Sequence, residues 1–223
     1  MRIVRTPASR RVWIFDLDNT LHDARPEIFP EMHRQINDYV QRRFSVDEAG
    51  ANEIRRSFWS RYGTTLKGLM RHYGEDPHRY LRETHVFPEL ASLVVRDNAL
   101  KHALGRLRGR KLVFSNAPRH YVDGVLKVLG YRRFFDAVYT IESTRFQPKP
   151  AFQGFRMLLR AHDLAPHRCA MVDDMLENLR TAKRLGMSTV WVSPDRAKRV
   201  PYVDLRVDSV AQLPRLAFRF LDQ

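Results

Sequence analysis

Two aspartates separated by one residue, Asp16 and Asp18, stand where the short apolar run 12–15 meets a polar turn. Side chains at positions i and i+2 of a strand share a face, so carboxylates at this spacing are held close together. A bound cation relieves their repulsion, and oxygen ligands favour Mg²⁺. A turn aspartate explains one of the two residues but not the whole string Asp-x-Asp-x-Thr, so the pattern predicts a magnesium site at a strand end.

Three later segments place further reactive groups after apolar runs. Ser115 and Asn116 precede a helical pattern, where a hydroxyl and backbone N–H groups can hold phosphate oxygens. Lys149 stands between two prolines, which present its ammonium rigidly to a phosphate or a carboxylate. Asp173 and Asp174 end another buried-looking run and need a cation or a lysine nearby. Taken singly, each segment also fits an ordinary helix cap, an exposed lysine or a turn.

The elements that must position these groups alternate between strand-like apolar runs and helical patterns. This alternation predicts an α/β fold whose core is a Rossmann-like, doubly wound parallel sheet covered by helices on both faces. The carboxyl ends of such strands form the edge at which ligands bind, which is where the reactive groups stand. The predicted strands are Val12 to Phe15, Lys111 to Ser115, Ala137 to Ile141, Cys169 to Val172 and Ser188 to Val192, and the predicted core helices are Tyr121 to Leu129, Pro150 to His162 and Val210 to Leu221.

The interval 23–92 has no strand-like run. A connection from strand to helix normally takes two to six residues, so about seventy residues here predict an inserted, all-helical cap subdomain. The catalytic core is then expected to comprise 1–22 and 93–223. The predicted cap helices are Glu31 to Phe44, Asp47 to Tyr62, Thr65 to Tyr73 and Pro77 to Thr84.

In this order the motifs resemble the four motifs of the haloacid dehalogenase (HAD) superfamily of phosphotransferases, over essentially the whole chain. Phe-Asp-Leu-Asp-Asn-Thr-Leu at 15–21 matches the first motif almost letter for letter. Ser115 matches the second motif, Lys149 the third, and Asp173 with Asp174 the fourth. Many members carry Gly in place of the first of these two aspartates and another acid where this chain has Asn178.

The resemblance implies a mechanism. Asp16 attacks phosphorus to form an aspartyl-phosphate, and Asp18 acts first as general acid and then as general base. It also implies Mg²⁺ held by Asp16, the backbone carbonyl of Asp18 and Asp174, with Asp173 beside the metal ligands. Ser115, Asn116 and Lys149 are expected to bind the phosphoryl group. Asp18 argues against a dehalogenase, because members with that activity lack this second carboxylate.

Within the superfamily, the stretch 59–71 is similar to the pyrimidine 5′-nucleotidase branch, which shows Tyr-Gly followed by Gly at this point of the cap. The likeness implies UMP or CMP as substrate. Tyr62 is then expected to stack on the base, Thr64 and Thr65 to bond its edge, and the glycines to let backbone approach it. In the alternative interpretation this stretch is simply the apolar core of the cap, with the side chains Trp59, Tyr62, Leu66, Leu69, Met70 and Tyr73 and with glycines Gly63 and Gly68 at helix ends.

Composition limits the compartment and the partners. The chain has 223 residues, 43% of them hydrophobic, and a formal charge of +14. Its arginines are scattered, which favours a solvated surface that attracts small phosphorylated anions over a groove for nucleic acid. The single cysteine, Cys169, predicts a buried thiol and no intramolecular disulfide. No apolar run approaches the length of a membrane span, and the basic start 1–11 is unlike a signal peptide, so a cytoplasmic protein without membrane contact is expected.

Two other functions stay open at this point. One is a phosphatase for a phosphosugar or another small phosphorylated metabolite. The other is a non-catalytic module that binds nucleic acid through its positive charge. Against it, a protein that had lost catalytic activity would have no physical reason to keep a carboxylate cluster that is costly to bury. Oligomeric state and biological pathway are not predicted.

Overall fold

A six-stranded, all-parallel sheet forms the core of the chain, with strand order β3-β2-β1-β4-β5-β6. The computed structural model describes residues 11–195 and 199–216. The strands are β1 (Val12–Phe15), β2 (Arg110–Phe114), β3 (Ala137–Tyr139), β4 (Cys169–Asp173), β5 (Ser188–Val192) and β6 (Leu205–Val207).

Helices fill the connections between these strands. They are α1 (Ile28–Phe44), α2 (Glu48–Tyr62), α3 (Thr65–Tyr73), α4 (Pro77–Thr84), α5 (Leu90–Leu93), α6 (Asn98–Arg106), α7 (Arg119–Leu129), α8 (Phe152–Ala161) and α9 (Leu176–Arg184). None of the helices within the described ranges has the length and apolar character needed to cross a membrane.

Both faces of the sheet are buried, which confirms the predicted doubly wound architecture. Side chains alternate along β1: Trp13 and Phe15 enter one hydrophobic cluster together with residues of α6 and α7, and Val12 and Ile14 enter a second with residues of α8 and α9. A strand whose two faces are both covered reads as a continuous apolar run, and this is why the sequence shows no alternation there.

The register of the central strands brings the reactive groups to one edge. Phe15 pairs with Val172, and the N–H of Asp16 donates to the Val172 carbonyl at 2.9 Å. Asp16 therefore lies beside Asp173 at the end of β4. Ser115 follows β2 on the other side of β1, so all these side chains meet at the carboxyl edge of the sheet.

Helices α1 to α4, here called the cap, occupy the long interval after β1. Their ends follow local rules: the side chains of Asp47 and Thr64 cap the starts of α2 and α3, and Gly63 and Gly74 end the same helices with φ of 81° and 61°. These left-handed conformations favour glycine. The cap contributes most of a third hydrophobic cluster, made up of Tyr39, Leu66, Leu69, Tyr80 and Leu81 from the cap helices and Ile141 from the segment after β3.

Gly68 serves packing within the cap. A Cβ at this position would come within 2.3 Å of the Phe58 ring, so the glycine lets α3 approach α2 closely. This corrects both interpretations of Gly68 from the sequence, as a position where backbone approaches a ligand and as a helix end, since it lies inside α3.

Several elements differ from the predicted set. Strand β6 and helices α5 and α6 are not among the predicted elements; β6 has three residues and α5 four, too few for a clear pattern. Of the predicted helix from Val210 to Leu221, the described part is a 3₁₀ turn at Val210–Gln212 followed by helical residues to 216, and the remainder lies outside the described residues. The cap limits 23–92 stay a prediction.

Candidate active site

Lys149 joins two carboxylates at the carboxyl edge of the sheet. Its buried Nζ donates to Asp16 Oδ1 at 2.7 Å and to Asp173 Oδ2 at 2.9 Å. The Asn116 side chain fixes the lysine backbone through two reciprocal bonds, accepting from the Lys149 N–H at 2.7 Å and donating to its carbonyl at 3.0 Å. The Asn116 side chain therefore fixes the lysine backbone, and the backbone N–H of Asn116 is a donor left for a phosphate.

Asp173 has its hydrogen-bonding capacity filled by the protein. Besides Lys149, it accepts from the Met175 N–H at 2.8 Å and from the Asn178 amide, which lies 3.0 Å from each carboxylate oxygen. These donors surround a fully buried carboxylate. Asn178 thus orients Asp173. The sequence did not predict this role; the only feature that pointed to Asn178 was its position four residues after Asp174.

The third carboxylate, Asp174, completes a cluster. One oxygen from each of Asp16, Asp173 and Asp174 lies within 4.8 Å of the others. Asp174 is only partly buried, and among the described residues the one side chain that donates to it is Asn19, at a long 3.4 Å. Because Asp173 is already saturated, Asp16 and Asp174 are the members with oxygens free for a ligand.

Burial dominates the electrostatics of this cluster. It raises the pKa of Asp16 well above its ordinary value, against the opposing effect of Lys149, and Asp173 and Asp174 raise it further. Burial and the neighbouring Asp173 raise the pKa of Asp174 to about 6. For Lys149, burial lowers the pKa, but the two carboxylates outweigh it and the net shift is upward. The single positive charge of Lys149 is smaller than the combined negative charge of the three carboxylates when they are ionised. This surplus negative charge, carried on oxygen donors, fits a hard divalent cation.

Asp18 stands apart from Lys149, with different partners. Its Oδ1 accepts from the Tyr121 hydroxyl at 2.7 Å and lies 2.9 Å from Nε2 of His22. Burial and the nearby Asp18 raise the pKa of Tyr121, so the phenol keeps its proton and donates. Among the described residues Oδ2 has no hydrogen-bond partner, and Asp18 lines the cavity described below. Sequence reasoning assigned no role to Tyr121, which reads as an ordinary apolar position of α7.

Ser115 lies at the end of β2, buried beside the same edge. Its N–H donates to the Tyr139 carbonyl, and its Oγ accepts from the Ala117 N–H, both at 3.0 Å. Within the described part of the chain the Asn116 N–H has no acceptor. The loop therefore offers one hydroxyl and one free N–H next to Asp16 for the oxygens of an anion.

A cavity of about 1050 Å³ opens from this edge into the cap. Its core wall includes Asp18, Asn116, Ala117 and Met175, and its cap wall is built from α1, α2, the start of α3 and α4. Of the predicted substrate residues, three line the cavity, namely Gly63, Thr64 and Thr65. The fourth, Tyr62, lies outside the lining, and its hydroxyl is 2.6 Å from Nε2 of His72.

Trp59 is the aromatic side chain that α2 presents to the cavity. It is 61% exposed, so its interpretation as part of the cap core is wrong. The same interpretation is correct for Leu66 and Leu69, which are buried in the cap cluster, and wrong for Tyr73, which is 49% exposed.

Comparisons with known proteins identify the family. The model of the haloacid dehalogenase-like hydrolase family matches residues 11–186. Phosphate metabolism protein 8 of Saccharomyces cerevisiae is 24% identical over 196 residues, which is 82% of this chain and 61% of that protein. The chain thus spans about three fifths of the length of this curated relative.

Solved structures share the fold at low sequence identity. A HAD phosphatase from Thermococcus onnurineus is 20% identical, with a TM-score of 0.61 over 93% of this chain and 97% of that one. The protein YfnB of Bacillus subtilis, in a structure bound to magnesium, is 17% identical, with a TM-score of 0.60 over 96% of this chain and 100% of that one.

Proposed function

The chain belongs to the haloacid dehalogenase-like hydrolase family, and on that premise we propose that it is a Mg²⁺-dependent phosphomonoester hydrolase. The observation that carries the proposal is the position of Asp18. Its Oδ1 is held by Tyr121 and His22 while Oδ2 has no partner among the described residues, at the mouth of a large cavity. An alkoxide leaving group needs a proton from such a carboxylic acid, whereas a halide needs none.

The proposed metal ligands are the side chains of Asp16 and Asp174 and the backbone carbonyl of Asp18. The all-oxygen donor set and its surplus negative charge support Mg²⁺, as does the magnesium-bound structure of YfnB. When bound, the ion supplies positive charge next to the transferring phosphoryl group. Asp173 remains the partner of Lys149 beside the metal ligands.

The protein groups then carry the reaction in two steps. Asp16 attacks phosphorus, the bond from phosphorus to the leaving oxygen breaks, and Asp18 gives that oxygen its proton. An aspartyl-phosphate on Asp16 results. In the second step Asp18 takes a proton from a water molecule that attacks phosphorus, which releases inorganic phosphate and restores the Asp16 carboxylate.

The proposed phosphate contacts come from two loops. Lys149 neutralises charge on Asp16 and on the transferring oxygens, and the Ser115 hydroxyl and the Asn116 N–H donate to those oxygens. Preorganised donors of this kind stabilise charge that develops in the transition state. The bonds between Asn116 and the Lys149 backbone support such preorganisation.

For the substrate, we propose a pyrimidine nucleoside 5′-monophosphate, UMP or CMP. The likeness of the stretch 59–71 to pyrimidine 5′-nucleotidases suggests this class, and a cavity of about 1050 Å³ accommodates a nucleoside. Thr64 and Thr65 line that cavity and offer hydroxyl groups to a base. Tyr62 lies outside the lining, so stacking on the base falls to another side chain.

A substrate panel tests this function. Purified protein with Mg²⁺ is assayed for phosphate release from UMP, CMP, AMP, glucose 6-phosphate and methyl phosphate. We expect the highest kcat/KM with the pyrimidine nucleotides. Equal kcat/KM across the panel would refute the nucleotide assignment, and a preference for the sugar phosphate would establish the alternative metabolite phosphatase.

A further inference from the structure

We propose that Arg55 and Trp59 of α2 are the residues that recognise the base, with Trp59 stacking on the ring and Arg55 donating to a ring carbonyl. This inference rests on the proposed nucleotidase function and names the residues that would give it specificity. Neither residue belongs to the motifs of the sequence analysis.

The cavity-facing side of α2 is polar and aromatic. Asn52, Arg55, Arg56 and Trp59 line the cavity, as does Gly63 at the end of the helix. Asn52 stands three and four residues before the two arginines and Trp59 three and four residues after them, so these side chains share one face of the helix. The inward face of a cap helix is normally apolar so that it can pack. Here it borders open space, which suits a ligand.

Arg55 is a half-buried cation that the protein leaves incompletely satisfied. Its Nη1 donates to Asn37 Oδ1 at 2.9 Å and to Asn52 Oδ1 at 3.3 Å, but its buried Nε has no acceptor. No carboxylate within the described ranges forms an ion pair with it. A guanidinium has five N–H donors, and leaving buried donors unused is costly. The two asparagines hold the guanidinium in the cavity wall through Nη1. The other terminal nitrogen, Nη2, has no hydrogen-bond partner among the described residues and is the group that donates to an acceptor on a ligand.

Trp59 offers the stacking surface that Tyr62 does not. The indole lies one helical turn after Arg55, is 61% exposed and stacks on no other ring of the described chain. On the core wall of the same cavity Met175 is 41% exposed. Large apolar side chains exposed on both walls are covered when a flat ligand enters between cap and core.

The charges around the cavity favour a neutral ring over a second anionic group. Three arginines and three acids line it: Arg34, Arg55, Arg56, Asp18, Asp38 and Glu48. Arg34 pairs with Asp38 at 2.8 Å. Because the formal charges of the lining cancel, the cavity has no net positive charge to hold a second phosphate or carboxylate on the leaving group. A pyrimidine ring instead presents uncharged carbonyl oxygens to Arg55 and a π face to Trp59.

Steady-state kinetics of three variants with two substrates test the inference. UMP carries the ring, and methyl phosphate has neither ring nor carbonyl in its leaving group. In Trp59→Ala and Arg55→Met we expect the KM for UMP to rise about tenfold, the range that lost stacking or a lost arginine contact to a base produces. The kcat/KM for methyl phosphate should stay at the wild-type value, and Trp59→Phe should restore most of the affinity for UMP.

Arg61→Met is the matched control, because Arg61 is exposed on the same helix and lies outside the cavity lining. It should leave both substrates unaffected. If Arg55→Met does not fold, Arg55→Lys replaces it, since lysine keeps the charge but not the planar donor set.

The possible failures are distinguishable. If wild-type protein prefers UMP but the variants at 55 and 59 keep its KM, the recognition surface is wrong and the nucleotidase function stands. If wild-type protein hydrolyses methyl phosphate as well as UMP, the nucleotide assignment itself is wrong. A fall of kcat/KM for both substrates would show damage to the site and would also overturn the inference.

Discussion

Removing the Tyr121 hydroxyl isolates the contribution of general acid catalysis. Tyr121→Phe deletes the 2.7 Å bond to Asp18 Oδ1 and leaves the 2.9 Å contact with His22. Tyr121 is 1% exposed, so no water is expected to replace the hydroxyl. A hydrogen bond to a charged group contributes about 1.5–3 kcal/mol. Because His22 still holds the same oxygen, we expect the lower limit, which is about a tenfold loss of rate.

The assay compares two leaving groups. An alkyl phosphomonoester needs a proton from Asp18 as its oxygen leaves, whereas p-nitrophenolate leaves as a stable anion. The ratio kcat/KM covers the reaction only as far as formation of the aspartyl-phosphate, so it reports the acid step and not the later hydrolysis. Tyr121→Phe should lower kcat/KM about tenfold for the alkyl substrate and little for p-nitrophenyl phosphate.

Tyr131→Phe is the control, since its buried hydroxyl donates to the Asp97 carbonyl away from the site. This variant should lose some thermal stability without a selective change in kcat/KM. An equal fall for both substrates in Tyr121→Phe, or no fall for either, would refute the assignment of Asp18 as the acid held by Tyr121.

Three further predictions concern the nucleophile, the support of Asp173 and the effect of acid. Asp16→Asn should abolish phosphate release while the protein stays folded by circular dichroism, because an amide does not attack phosphorus. Asn178→Ala removes the amide that bonds both oxygens of the buried Asp173, and chemical denaturation should show a loss of about 1–3 kcal/mol. Burial lowers the pKa of His85 to about 3, so its neutral form is favoured in the native state and stability should fall as pH drops below about 6.5. Between pH 7 and pH 5 this group should account for about 2 kcal/mol of lost unfolding free energy, measured as the difference between wild type and His85→Gln.

Each of these has a contradicting result. Substantial turnover by Asp16→Asn would mean that another group is the nucleophile. An unchanged unfolding free energy in Asn178→Ala would mean that Asp173 does not depend on the amide. If wild type and His85→Gln lose stability in parallel between pH 7 and pH 5, His85 is not the group that takes up the proton.

The sequence predicts the core of the fold because its signals there are local. The strand Val12–Phe15 is apolar on both faces, and the cap helices α3 and α4 begin and end where predicted because Thr64, Gly74 and Asp76 mark their boundaries. Strand β6 escapes prediction because three residues at the edge of a sheet carry no periodicity.

The site is predictable only in part, for a similar reason. The apolar runs that end in Asp16 and Asp173 identify the carboxylates, since the end of a buried strand can be recognised from a single sequence. The hydrogen bond from Tyr121 to Asp18 cannot be predicted from the sequence, because the two residues are far apart along the chain and Tyr121 belongs to a separate helix. For Trp59 the sequence gives a wrong prediction. Helical spacing indicates a core residue, and only the tertiary structure shows that its side of α2 faces a cavity.

The charges of the assembled site argue that metal and substrate depend on each other. When ionised, Asp16, Asp173 and Asp174 carry three negative charges against the single positive charge of Lys149. Two surplus negative charges would repel a phosphate dianion from its binding loop, and a divalent cation cancels them. Asn116 holds Lys149 in place and Asn178 holds Asp173, so the lysine and one carboxylate are fixed by the protein alone. What the protein leaves unbalanced is the charge of Asp16 and Asp174, the two carboxylates with oxygens free to face the metal and the phosphoryl group.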